Sequence, residues 1–185
     1  MRIIAGTAKG KRLITLAGIA TRPTLDRVKE ALFNIIQFDI SEAHVLDLFA
    51  GSGALGLECL SRGAKYVVFC DNSHEAAKVI KENIENTKFE ENSEVLNKDY
   101  MLALKKLHKE SYKFDIIFLD PPYGSDFDTK ALEEIMKLEL LSDDGMIIIE
   151  TDNKKKEIEI LKNKKIKIHD KRLYGRVLLI FVRKG

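Results

Sequence analysis

Asp120-Pro121-Pro122-Tyr123 is the stretch of this chain most suited to chemistry. It follows the apolar run Phe114–Leu119 and holds two of the three prolines. Consecutive prolines fix φ and donate no N–H bonds, so the loop is stiff and rich in acceptors. Such a loop suits an amine carried on an aromatic ring. The lone pair of that amine is delocalised into the ring, which makes it a poor nucleophile. Two acceptors on its two N–H bonds favour a pyramidal nitrogen and aim the lone pair outward. The Asp120 carboxylate and the Pro121 carbonyl can supply them. Asp120 also stands where positive charge would grow on an attacked nitrogen. Tyr123 can stack on the ring face.

A second stretch runs Asp47-Leu48-Phe49-Ala50-Gly51-Ser52-Gly53-Ala54-Leu55-Gly56. It reads as strand, tight glycine turn, then helix. Gly51 and Gly53 let the backbone turn sharply and approach a ligand, and the helix amides beyond them can face an anion. The three glycines spell the dinucleotide fingerprint. The acid before the turn gives a different pattern, D-x-x-x-G-x-G, which resembles the first motif of S-adenosylmethionine (SAM) methyltransferases. Asp71 lies 20 residues after Gly51, the spacing of an acid that binds ribose hydroxyls. Asp99 follows a third short strand and could accept from an exocyclic amine such as that of adenine. Asp71 and Asp99 could each instead cap a helix, a reading nearly even for Asp99, whereas Ser73 fills the cap role better than Asp71.

These acids need a scaffold that gathers them. From His44 to Glu150 the pattern alternates strand and helix. The strands read as His44–Leu48, Tyr66–Cys70, Glu94–Leu96, Phe114–Leu119 and Met146–Glu150, the last opened by Gly145. The helices read as Ala54–Arg62 with Gly63 as its C′ residue, Ser73–Asn86, Met101–His108 and Asp128–Lys137. That alternation predicts a mostly parallel α/β sheet with helices on both faces. Ile166–Ile168 and Val177–Val182 predict a closing antiparallel pair joined around Tyr174-Gly175. Asp47, Asp71, Asp99 and Asp120 then sit together at the C-terminal strand ends, where such sheets bind ligands.

Residues 1–42 read as an arm on a core of residues 43–185. Arg2–Ile4 and Lys11–Leu16 predict a basic hairpin that must dock to be stable. Thr24 is the expected N-cap of a helix whose apolar stripe is Leu25, Val28, Leu32, Ile35 and Ile36. Arg27 lies in its first turn, where the helix dipole disfavours a cation, which suggests a ligand-facing role. Net charge is +5 over residues 1–30, −12 over 31–152 and +9 over 153–185. Lys154–Lys156 and Lys162–Lys167 read as a basic linker. If the ends meet, they form a cationic surface for a polyanion. With 185 residues and 45% hydrophobic content, one domain with a real core is expected. Cys59 and Cys70 match no zinc spacing and predict free thiols in a reducing cytoplasm. No leader, membrane span or metal site is expected.

With these residues assembled, the chain resembles the RsmD family of 16S rRNA guanine-N2 methyltransferases over essentially its whole length. The resemblance rests on Arg2-Ile3-Ile4-Ala5-Gly6 with Gly10-Lys11-Arg12-Leu13, and on Thr21-Arg22-Pro23-Thr24 through Arg27 to Phe33-Asn34. It continues through the glycine turn and Asp120-Pro121-Pro122-Tyr123 to Tyr174-Gly175. It implies a Rossmann-like class I methyltransferase fold and SAM as methyl donor. Asp47, Phe49, Ala50, Gly51, Gly53, Asp71, Asp99 and Tyr100 would hold the donor. Asp120, Pro121, Pro122 and Tyr123 would hold the guanine amine. Arg2, Lys9, Lys11, Arg12, Arg22, Thr24 and Arg27 would meet ribosomal RNA, in the small subunit or an assembly intermediate. Competing readings are an amino-methyltransferase acting on DNA adenine N6 or protein glutamine, a nicotinamide oxidoreductase, and a non-catalytic RNA-binding module.

Overall fold

The structure is a computed structural model, and it describes residues 1–16, 23–122, 125–153, 156–160 and 165–185. Within helices the side chains of residues 23–25, 157 and 158 are also outside the description. Among the described residues, thirteen α-helices and strands build the fold. They are α1 (Pro23–Ile35), β1 (His44–Asp47), α2 (Ala54–Ser61), β2 (Tyr66–Asp71), α3 (His74–Thr87) and β3 (Ser93–Asn97). Then come α4 (Tyr100–Lys109), β4 (Phe114–Leu119), α5 (Phe127–Lys137), β5 (Leu141–Thr151), α6 (Lys156–Ile160), β6 (Ile166–Tyr174) and β7 (Val177–Lys184).

The strands form one sheet in the order β3-β2-β1-β4-β5-β7-β6. β1 to β5 pair in parallel, and β7 runs antiparallel to both β5 and β6. This is the expected Rossmann-like methyltransferase sheet. Its central strands are apolar on both faces, as burial under two helix layers requires. Alternate residues divide between two cores. Val45, Val67, Phe69, Ile116, Phe118 and Ile148 face α1, α2 and α3. Leu46, Val68, Ile117, Leu119, Ile147 and Ile149 face α4, α5 and α6. The period of two along each strand is what separates the layers.

The helix ends follow their local chemistry. Ser73 caps α3, its hydroxyl accepting from Ala76 N–H at 3.3 Å. Gly63 follows α2 at φ 97°, the left-handed position a C′ glycine supplies. Gly56 packs where α2 crosses β2, and a Cβ there would come within 2.3 Å of Phe69. It serves helix–sheet packing, the role of the third glycine in such turns.

Several boundaries differ from the sequence reading. α1 begins at Pro23, so Thr24 lies inside the helix rather than capping it; proline suits the first turn because its missing N–H has no partner there. β5 begins at Leu141, not Gly145, and its pairing with β4 skips between Phe114 and Ile116. β6 is three times the expected length. Its exposed polar residues hid a strand whose partner β7 supplies the apolar face. Lys156, read as linker, instead lies buried in α6, bonded to Asp128 at 3.0 Å and Glu159 at 2.9 Å.

The arm is a hairpin held by one bridge, Arg2 to Arg12, instead of two full strands. Ile3 N–H donates to Lys11 C=O at 3.0 Å and Gly10 N–H to Ile3 C=O at 2.9 Å. Docking replaces the missing ladder. Ile3, Ala8 and Leu13 join the core beneath α1 and α2. Glu58 on α2 is fully buried and accepts from Ile4 N–H at 2.8 Å, Ala5 N–H at 3.0 Å, Lys29 Nζ at 3.0 Å and Arg62 Nε at 2.9 Å. Gly6 passes so close to Ser61 that any Cβ would overlap its carbonyl. Asn83 on α3 links Ile14 of the arm to the Ser52 carbonyl of the glycine turn. The arm thus rests on α2 and α3, over β1 to β3, while basic β6 closes the opposite edge of the sheet.

Candidate active site

A cavity of about 510 Å³ opens at the C-terminal ends of the parallel strands. Its floor is the glycine turn, with Phe49, Ala50, Gly51, Ser52, Ala54 and Leu55. Asp71, Lys98 and Tyr100 form one side, and Asp120, Pro121, Pro122 and Glu150 the other. α1 and the arm close it through Met1, Val28, Lys29 and Leu32. Sheet topology explains the gathering. β1 sits between β2 and β4, and crossovers leave in opposite directions there, so the rim opens into a crevice.

The turn itself needs glycine for its backbone. Gly51 has φ 56° and Gly53 has φ 77°, both left-handed. Gly53 is the N-cap of α2 and has no side chain to offer, so the first-turn amides of Ala54 and Leu55 are left for a ligand. Asp47 reaches across from β1 and accepts from Gly56 N–H at 3.1 Å. Asp71 accepts from Gly51 N–H at 2.9 Å and from Ser73 N–H at 2.9 Å. The acid at the end of β2 therefore holds the glycine turn to the neighbouring strand end, and each of its oxygens keeps a lone pair for a further donor.

The acids of the rim are not equally placed. Burial pushes Asp47 up to about 7, with Asp71 adding to the effect and the Gly56 bond opposing it. Burial also raises Asp120 well above the usual carboxylate range, helped by Glu150 and Asp47. Asp99 is spent differently. It caps α4, accepting from Met101 N–H at 2.9 Å, and its neighbours Lys98 and Tyr100 line the cavity instead. Phe49, Tyr100 and Phe127 form an aromatic cluster, with ring centroids 5.4 to 6.4 Å apart.

The loop after β4 begins as expected. Pro121 is buried and Pro122 exposed. The Pro122 carbonyl accepts from Ser125 Oγ at 2.7 Å, which folds the loop back. No hydrogen bond to the Pro121 carbonyl is found among the described residues. Tyr123 and Arg22 lie outside the described residues, as does the Thr24 side chain. Arg2, Lys9, Lys11, Arg12 and Arg27 are exposed. The Lys11 ammonium sits on the Asn86 carbonyl at 2.7 Å, at the C-terminal end of α3. Sequence reasoning missed Glu150 and Lys29. Glu150 was visible as one more acid at a strand end. Lys29 lay on the polar side of α1, and only the fold shows what it reaches.

A family model described as Conserved hypothetical protein 95 matches residues 1–183. The chain belongs to this family, the RsmD family. Among its relatives, the Ribosomal RNA small subunit methyltransferase D of Haemophilus influenzae is 38% identical over 180 residues, 94% of this chain and 93% of that protein. The Putative rRNA methyltransferase YlbH of Bacillus subtilis is 39% identical over 160 residues, 86% of this chain and 85% of its own. The solved structure of the putative methyltransferase yhhF from Escherichia coli superposes with a TM-score of 0.84 at 28% identity, covering 100% of this chain and 98% of that one. A putative methylase from Haemophilus influenzae gives 0.80 at 31% identity, covering 99% and 97%. The RsmD match therefore spans the arm as well as the sheet.

Proposed function

We propose that the protein is a SAM-dependent methyltransferase that methylates the exocyclic N2 amine of a guanine in small-subunit ribosomal RNA. The observation that carries this reading is one cavity holding both the glycine turn and the Asp120-Pro121 corner. The RsmD relatives, named for ribosomal RNA methylation, support the substrate class.

The cavity fits the donor's chemistry. The free first-turn amides of α2 suit its carboxylate, and Asp71 suits a ribose diol. Asp47 and Asp71 place acids beside the glycine turn, which favours a ligand carrying an ammonium and a sulfonium. The same acids would repel the pyrophosphate of a nicotinamide dinucleotide, and this weighs against the oxidoreductase reading.

When bound, the donor supplies a methyl group already activated by its sulfonium. The protein's part is alignment and electrostatics. Asp120 and the Pro121 carbonyl accept the two N–H bonds of the amine and turn its lone pair toward the cavity. Asp120 stabilises positive charge on that nitrogen as the new bond forms. The methylated nitrogen is acidic and releases its proton after transfer. The exposed Arg2, Lys9, Lys11, Arg12 and Arg27 meet the RNA backbone, with Arg22, Thr24 and Tyr123 adding to the substrate side. The test is transfer of tritium from labelled SAM to small-subunit rRNA, followed by mass spectrometry of the nucleosides. N2-methylguanosine is the expected product. Label on adenosine, or none with RNA and SAM both bound, would overturn the assignment.

A further inference from the structure

Asp120 and Glu150 stand side by side. The β4–β5 register pairs Leu119 with Ile149, so the next positions, 120 and 150, are neighbours on adjacent strands about 4.8 Å apart. Phe118 and Ile148 face the α1 layer, while Leu119 and Ile149 face the other. The alternation returns both acids to the α1 side, where both line the cavity. Asp120 already has a part in holding an amine. Nothing said so far uses Glu150.

We propose that Glu150 selects the base, accepting the ring N1–H of guanine while Asp120 and the Pro121 carbonyl hold the adjacent N2 amine. This inference rests on the methyl-transfer reading above. The Asp-Pro-Pro corner recognises only a planar amine, and adenine carries one too. The two bases differ at the neighbouring ring nitrogen. Guanine N1 bears a hydrogen, whereas adenine N1 presents a lone pair. An ionised carboxylate is acceptor-only, so it bonds the first and faces the second lone pair to lone pair. A site built to bond a particular hydrogen favours the base that carries it over an analogue that lacks it.

The electrostatics of the pair agree. Burial and the neighbouring charge of Glu150 hold Asp120 above the usual carboxylate range, an opposition that the N–H donors of guanine relieve. Of the lysines that line the cavity, Lys29 is bonded to Glu58 and to the Arg2 carbonyl, at 3.0 and 3.1 Å. It is engaged in docking the arm.

The test compares small-subunit rRNA carrying guanosine or 2-aminopurine riboside at the methylated position, once product mapping has located it. 2-Aminopurine keeps the amine and lacks the N1 hydrogen. The wild-type protein should prefer guanosine by about a hundredfold in kcat/KM, the worth of one lost hydrogen bond. In Glu150→Gln, whose amide can donate to the bare N1, that ratio should shrink at least tenfold, with SAM affinity unchanged. Glu150→Asp should keep the preference, and Glu150→Ser carries the comparison should the glutamine variant not fold. An equal loss on both substrates, or SAM affinity falling in step with rate, overturns the role of Glu150 alone. A wild-type protein that methylates no guanosine overturns the parent reading as well.

Discussion

Buried Glu58 and the rim pair of buried Asp47 and half-buried Asp120 are acids with opposite surroundings. Four donors converge on Glu58: two backbone amides, Lys29 and Arg62. Arg62 in turn lies over Phe33, 4.9 Å from its ring centroid, which ties α2 to α1. Asp47 has one backbone donor, and both rim acids are raised by burial. An acid supplied with donors holds structure together. An acid left short of them costs stability and is discharged only when a ligand brings hydrogens or positive charge.

The sharpest way to break this contrast is Glu58→Ala. It strands Lys29, itself lowered by burial, together with two arm amides. Unfolding in urea should show a loss of about 3–5 kcal/mol. A loss below 1 kcal/mol would mean that Glu58 does not hold the arm.

Asp47→Asn should act with the opposite sign on the empty protein. The folded-state value of about 7 exceeds the usual 3.8, so the folded chain holds the extra proton between those two pH values. Wild-type stability therefore falls as pH rises through that window. The variant should be more stable by up to about 4 kcal/mol at pH 8 and equal to wild type below pH 4. Thermal unfolding across pH measures both. The same ionisation should strengthen SAM binding by about tenfold from pH 6 to pH 8, and Asp47→Asn should flatten that rise.

The smallest effect concerns the arm's surface. Replacing Lys11 and Arg12 with glutamine should weaken RNA binding and lower the salt slope by about 1–2. An unchanged slope would remove them from the RNA contact.

The same contrast explains what the sequence made legible. β4 was read to the residue, because Phe114–Leu119 is apolar but for Asp115 and is followed by Asp120 and two prolines. Ser73, Gly63 and the glycine turn were legible because caps and positive φ are set within a few residues. Glu58 was not, since its partners Ile4 and Ala5 lie more than fifty residues away. α6 is five residues long, too short for a periodicity, and is fixed by the Lys156–Asp128 pair across 28 positions. Asp99 was equally good as cap or ligand by type, and only its 2.9 Å bond to Met101 shows the cap.

The role given to Asp120 is tested most directly by SAM titration and single-turnover methyl transfer on Asp120→Ala, side by side with wild type. Transfer should drop about a thousandfold while the donor's Kd stays within about twofold. A Kd that worsens in proportion to the lost rate would make Asp120 part of the donor's seat and contradict its hold on the amine.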